Sequence, residues 1–341
     1  MTKTKSSIKF ATRVSNFINK QISDIALLKK YFFDKIIELK DHISNVKAGL
    51  RDLRSTNMSL AFYHLRQGNL NDAILRFKII DIFISPSDEE VHYGFAWCYF
   101  LKGNYAKSMM HLKQSGARDA SGLGYFLTNF ESLDEVPETL WSEYRSITAD
   151  AYNYKWIKQP VYLPKEFADC LFSKIEELPK ECQILDLGCG SGLAGAAIDY
   201  KIQKNYHLTG VDNIAPLTKN IKNLREDKRK VYDEVINVSL RDFISSNVSK
   251  YDIITSFESL NFAKNLTPYL TKINKILNKN GYFALMLQTS KVEAWNTDQG
   301  CFIYKKDYVK EQLMVAEFKI LYIKEVHFTK NNIYTIFIVT K

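Results

Sequence analysis

From about residue 165 to the C-terminus, short apolar runs alternate with stretches of amphipathic helical pattern. The alternation predicts strands at 183–187, 206–211, 234–238, 251–256, 281–288, 319–327 and 332–340. It predicts helices over 165–177, 192–203, 214–226, 262–278 and 305–316. Strand, helix, strand repeated in this way builds a mostly parallel sheet covered on both faces. The last two strands are joined by the polar turn "TKNN", which predicts a final antiparallel hairpin. The N-terminal half has a helical period throughout. Between residues 8 and 50, Ile18, Ile22, Ile25, Phe32, Ile36, Leu39, Ile43, Val46 and Leu50 form a heptad stripe broken only at Lys29.

An internal repeat follows that stripe. The segment "LAFYHLRQGNLNDAILRF" (60–77) aligns with "FAWCYFLKGNYAKSMMHL" (95–112) at a shift of 35 residues, with Gly68 on Gly103, Asn69 on Asn104 and Ala73 on Ser108. Two helices, a turn glycine and a small residue where they meet resemble the tetratricopeptide repeat. Stacked hairpins of that kind leave a concave face, for which Tyr63, Arg66, His92 and Tyr99 are the candidate exposed residues. The pattern divides the chain into a basic amphipathic helical arm (1–53), the repeats with their linker (54–126) and an α/β domain (127–341).

Composition narrows the class. The chain has 341 residues, 46% of them hydrophobic and 25% charged, as in ordinary globular proteins, and no apolar run long enough to span a membrane is expected. Its net charge of +9 is uneven: residues 1–50 carry ten Lys and Arg against four Asp and Glu, or +6, which leaves +3 for the rest. The basic excess belongs to the arm and reads as a solvated helix face, so nucleic acid is not the expected partner. Cys98, Cys170, Cys182, Cys189 and Cys301 form no CxxC pair and no cluster with His. That spacing argues against a metal site or a disulfide framework and for a reducing, cytoplasmic setting.

The chemistry sits in "ILDLGCGSGLAGAAI" (184–198). Gly190-x-Gly192-x-x-Gly195 satisfies a dinucleotide fingerprint, and Gly188-x-Gly190-x-Gly192 satisfies another pattern. Both ligand types bind where a first strand hands over to a first helix. A pyrophosphate repels a nearby carboxylate, whereas the ammonium and sulfonium of S-adenosylmethionine are drawn to one. Asp186, two residues before Gly188, favours the second ligand. Asp212, at the end of "HLTGVD", lies where an acid accepts bonds from ribose hydroxyls.

With "YDEVINVSLRDFI", "YDIITSFESLNF" and "ILNKNGYFALML" downstream, residues 141–341 resemble a class I S-adenosylmethionine-dependent methyltransferase. With the repeats, the chain resembles the bacterial methyltransferases that carry tetratricopeptide repeats. The resemblance implies a Rossmann-like seven-stranded sheet with a C-terminal antiparallel hairpin, preceded by an all-α repeat domain. It implies S-adenosylmethionine as cofactor. Asp186 with the backbone of Gly188, Cys189, Gly190 and Gly192 would hold its methionine end, Asp212 its ribose, and Asn213, Ser239 and Leu240 its adenine. Phe257 and Glu258 follow the fourth strand, where the family often has an acid facing the reacting methyl, so Glu258 is the candidate base or else a cofactor-shell or helix-capping acid. Tyr152, Tyr154 and Trp156 would form a lid or an aromatic strap. Ser239 stands where the family usually has Asp. No Asn-Pro-Pro-Tyr motif follows the fourth strand, which disfavours amino methylation of bases. Two readings stay open: an enzyme whose repeats recruit a protein or small-molecule acceptor, and an interaction protein that keeps the fold without turnover.

Overall fold

In the computed structural model, every strand anticipated from the alternation is present, and two more extend the sheet. The structure describes residues 33, 35–36, 40, 52–116, 119–157, 162–202, 205–219, 221, 230–296, 300–328 and 332–341. The heptad stripe of residues 8–50 lies almost wholly outside them. The chain divides into two units between Ser59 and Leu60, and each is taken by itself. Of the first, Leu53–Ser59 forms the start of helix α1 (Leu53–Arg66), where Asp52 Oδ1 accepts the Ser55 N–H at 3.0 Å.

The second unit opens with the repeat. Helix α2 (Leu70–Phe83) follows Gly68, and helices α3 (Glu89–Leu101) and α4 (Tyr105–Gln114) flank Gly103. The two turns are built alike. Gly68 and Gly103 adopt φ of 75° and 68°, and the next residue donates its N–H five residues back, Asn69 to His64 and Asn104 to Tyr99. A left-handed residue at a helix C-terminus costs glycine little, which accounts for both glycines. Ala73 and Ser108 are fully buried at equivalent places, and Ser108 Oγ donates to the Ala96 carbonyl at 2.8 Å. Tyr63 and Arg66 are exposed and Tyr99 is half-buried. His92 is buried: its ring stacks on His111, with the two Nδ1 atoms 3.1 Å apart, so it is absent from any exposed face. Between α2 and α3, Phe77 lies where a Cβ on Gly94 would come within 2.1 Å of its ring. Gly94→Ala should therefore lower stability by about 1–3 kcal/mol, read as a shift in urea midpoint at unchanged slope.

Helices α5 (Leu123–Asn129), α6 (Glu138–Ile157) and α7 (Leu163–Phe172) lead into the sheet. Phe126 packs 4.9 Å from the Trp295 ring, and Trp295 Nε1 donates to Tyr105 Oη at 2.7 Å, so the strand segment around Trp295 touches both α5 and the repeat helix α4.

The sheet comprises β1 (Glu181–Leu187), β2 (Asn205–Val211), β3 (Glu234–Ile236), β4 (Tyr251–Phe257), β5 (Leu277–Ser290), β6 (Ala294–Asn296), β7 (Cys301–Lys305), β8 (Lys319–His327) and β9 (Ile333–Thr340). Its order is β3-β2-β1-β4-β5-β7-β6, and β9 pairs with both β5 and β8. Strands β3, β2, β1, β4 and β5 pair in parallel, while β9 runs antiparallel between β5 and β8, as the "TKNN" turn predicts. The helices α8 (Leu193–Lys201), α9 (Ala215–Thr218), α10 (Leu240–Ser246), α11 (Thr267–Ile276) and α12 (Lys306–Val315) complete the α/β layers. The alternation did not anticipate α10, nor the β6–β7 hairpin. The three-residue β6 and the seven-residue α10 are too short to show a period. The strand order reverses between β1 and β4, and such a switch point leaves a crevice beyond the strand ends.

Candidate functional site

Beyond the C-terminal ends of β1, β2 and β4 lies a cleft whose empty space, open solvent included, is about 550 Å³. Of the residues singled out in the sequence, Tyr152, Gly188, Gly190, Asp212, Asn213, Leu240, Phe257 and Glu258 line it. Asp186, Cys189, Gly192 and Ser239 lie outside that lining, and each has structural work of its own.

The loop after β1 is held by the end of β2. Gly188 and Cys189 both donate to the Val211 carbonyl, at 2.8 and 3.2 Å, and Gly190 donates to Asp212 Oδ2 at 3.0 Å. Gly188, Gly190 and Gly192 all have positive φ, from 52° to 85°. At Gly188 the reason is also space, because a Cβ there would lie 2.2 Å from Ser259 Cβ. At Gly190 a Cβ would meet nothing closer than 3.9 Å, so this glycine leaves room in the cleft rather than in the core. Gly192 caps α8. Gly195 lies within α8 under the Tyr232 hydroxyl, 2.2 Å from where a Cβ would stand, so the third glycine of the apparent dinucleotide fingerprint serves helix packing. Cys189 is buried, and burial pushes its thiol pKa well above the ordinary value.

The two acids of the motif behave differently. Asp186 is fully buried. Its Oδ2 accepts from Tyr232 Oη at 2.6 Å and its Oδ1 from Thr255 Oγ1 at 2.7 Å. Burial raises its pKa, and the two hydroxyls oppose that rise. Asp186 thus ties β1 to β4 and to the segment before β3, with both oxygens turned to protein donors. Asp212 faces the cleft. Its oxygens accept N–H groups from Gly190 and, at 2.7 Å, from Ile214, which leaves each oxygen a further lone pair. Burial pushes its pKa up to about 6, against the pull of those N–H groups and of Arg145.

Asn213 bridges to α6, donating to Glu138 Oε1 at 2.8 Å and to Ser142 Oγ at 3.2 Å. Ser239 is the N-cap of α10, where its Oγ accepts the Asp242 N–H at 3.1 Å. Phe257 packs edge-on against Phe167, with ring centres 5.5 Å apart. Glu258 adopts φ of +54°, is 3% exposed, and is anchored by its own N–H to the Met286 carbonyl at 3.0 Å. A left-handed non-glycine residue costs of order 1–2 kcal/mol and collects at functional sites.

Apart from Tyr152, which the sequence offered as part of a lid or strap, the rest of the wall was not legible in the sequence. Helix α6 contributes Glu138, Trp141, Arg145 and Tyr152. Arg241, at the start of α10, bonds to Glu138 at 3.0 Å and lies 4.7 Å over the Phe262 ring. Arg145 is 8% exposed. Its guanidinium lies 4.3 Å over Trp141 and 5.0 Å over Tyr152, and Nη2 donates to Asn261 Oδ1 at 3.4 Å. Trp141, Arg145 and Tyr152 recur on one face of a helix, a pattern that in sequence is indistinguishable from packing. The side chains of Tyr154 and Trp156 lie outside the described residues. Among the described residues no group of three or more His, Cys, Asp or Glu is placed to hold a metal, and no helix is long and apolar enough to cross a membrane.

Solved structures similar to this chain include magnesium protoporphyrin IX methyltransferase from Synechocystis with bound S-adenosylmethionine. That pair shares 13% identity with a TM-score of 0.46, over 60% of this chain and 96% of the other. The 1,6-didemethyltoxoflavin-N1-methyltransferase of Burkholderia thailandensis, solved with S-adenosylhomocysteine, shares 16% identity with a TM-score of 0.45, over 60% and 89%. The geranyl diphosphate C-methyltransferase of Streptomyces coelicolor shares 10% identity with a TM-score of 0.43, over 52% and 79%. No curated protein matches the chain. Residues 178–338, which carry the glycine loop, Asp212 and Glu258, match the family described as methyltransferase domain.

Proposed function

We propose that this chain is an S-adenosylmethionine-dependent methyltransferase. The observation that supports it most directly is the convergence of Gly188, Gly190 and Asp212 on one cleft at the strand-order reversal, within the residues that match a methyltransferase domain. The residues fit the cofactor. The open space over Gly190 admits a ligand backbone, and the spare lone pairs of Asp212 suit two ribose hydroxyls. Leu240, Ile214 and Leu217 offer an apolar bed for a purine. Ser239 supplies no charge there, and one of its two hydroxyl lone pairs is used by the cap.

When bound, S-adenosylmethionine supplies a methyl group activated by its sulfonium. The chain's part is to bind and align. Asp212 fixes the ribose, the glycine loop sets the depth of the ligand, and Trp141, Tyr152, Phe257 and Phe262 exclude water from the reacting end. The exposed Tyr63 and Arg66 of the repeats are proposed to recruit a polypeptide acceptor. Tyr63→Ala with Arg66→Ala in the full chain should leave ligand affinity unchanged and lower turnover only on a macromolecular substrate.

Calorimetry checks the cofactor reading: S-adenosylmethionine and S-adenosylhomocysteine bind, and NAD does not. Asp212→Ala should weaken S-adenosylhomocysteine about ten- to a hundredfold, or roughly 1.5–3 kcal/mol. The wild-type affinity should also fall as pH drops below about 6, because the protonated carboxyl is a poorer acceptor, and the variant should lose that dependence. An unchanged affinity in folded Asp212→Ala would remove the acid from the site.

A further inference from the structure

The sequence assigns the methionine end of the cofactor to Asp186, but that acid is enclosed by Tyr232 and Thr255 and does not line the cleft. A zwitterionic amino-acid group still needs a partner for each of its charges, since burying either alone is costly. The cleft holds such a pair elsewhere. Arg145 projects from α6, and its guanidinium meets the rings of Trp141, Tyr152 and Tyr144 and one amide oxygen at 3.4 Å. Among the described residues no carboxylate lies within ion-pair distance of it, although Glu258 is near enough to favour its charged form. By contrast Arg241, the other cleft arginine, is already paired with Glu138. A guanidinium that is nine-tenths buried, lies against aromatic rings and makes a single long bond to an amide keeps N–H donors of the fork geometry that suits a carboxylate bound through two parallel hydrogen bonds. Glu258, across the same cleft, is held rigidly at the end of β4 by its left-handed backbone and its bond to Met286.

We propose that Arg145 and Glu258 form a clamp for the amino-acid end of the cofactor, with the guanidinium taking its carboxylate and Glu258 its ammonium. This rests on the cofactor reading above. The clamp places the two charges of the ligand against two opposite charges of the protein. It also makes helix α6, from outside the residues that match the methyltransferase domain, part of the cofactor site.

The test is calorimetry on the full chain with two probes: S-adenosylhomocysteine, which carries the zwitterion, and 5′-methylthioadenosine, which keeps adenosine and sulfur without it. The wild type should bind the first at least tenfold more tightly. Arg145→Gln and Glu258→Gln should each weaken S-adenosylhomocysteine about ten- to a hundredfold, leave methylthioadenosine within twofold, and retain the wild-type melting profile. The near-isosteric Glu258→Gln keeps the test open should Arg145→Gln misfold. Equal affinity of the wild type for both probes, or variants that bind S-adenosylhomocysteine normally, would overturn the clamp while leaving the cofactor reading intact. A wild type that binds neither probe would overturn the cofactor reading itself.

Discussion

Gly188→Ala should destabilise the protein by about 2–5 kcal/mol. About 1–2 kcal/mol comes from placing a side chain at φ of +71°, and about 1–3 kcal/mol from overpacking. The overpacking has a named cause. The new methyl would lie 2.2 Å from Ser259 Cβ, and Ser259 Oγ donates to the Leu187 carbonyl at 2.6 Å and meets Ser256 Oγ at 2.7 Å. Moving Ser259 breaks its bonds to the last residue of β1 and to Ser256 of β4. Gly190→Ala is the matched control. Its φ is also positive, yet its methyl meets nothing within 3.9 Å, so only the backbone term of about 1–2 kcal/mol applies. The order of effects should reverse for the ligand: the Gly190 methyl stands in the cleft wall and should cost affinity in a protein that remains folded. Urea midpoints and S-adenosylhomocysteine titrations of the two variants separate these outcomes. Equal destabilisation of both would refute the assignment of Gly188 to packing.

Asp186→Ala should cost stability of similar size, about 2–6 kcal/mol, because two buried hydroxyls lose their acceptor together, at about 1–3 kcal/mol each. The Tyr232 hydroxyl has no route to water from beneath Gly195. Tyr232→Phe and Asp186→Ala should be less damaging combined than the sum of the two single changes, as shared partners require. The pH dependence has a definite sign. Burial raises the folded pKa of Asp186, so between its unfolded value near 3.9 and the raised value the fold binds more protons than the unfolded chain does. Its contribution to stability therefore falls as pH rises through that window, and Asp186→Ala should flatten the curve there. If Asp186→Asn instead abolished S-adenosylhomocysteine binding in a protein of unchanged stability, the acid would belong to the ligand after all.

Periodicity and local chemistry carry far in this chain. The seven strands that form the parallel core and its final hairpin were legible because each is an apolar run bounded by polar residues. The turn glycines Gly68 and Gly103 were legible because their spacing repeats. The glycine loop and Asp212 could be placed because a strand end, a tight turn and a helix start are local features. The direction in which a side chain points is set by its neighbours in space. Asp186 reads in sequence as an acid beside a ligand loop, but Tyr232 and Thr255, 46 and 69 residues away, turn it inward. Ser239 reads as a weakened ligand contact, but it caps α10, a helix too short to show a period. Trp141 and Arg145 read as an ordinary helix face, and only the packing of α6 over the strand ends makes them a cleft wall beside Tyr152. The sequence by itself determined the sheet, the repeat and the place of the cleft, because those follow from hydrophobic period and backbone freedom. The tertiary structure alone decided which charges face the cleft and which are spent inside the fold, because burial and pairing are properties of residues brought together from distant parts of the chain.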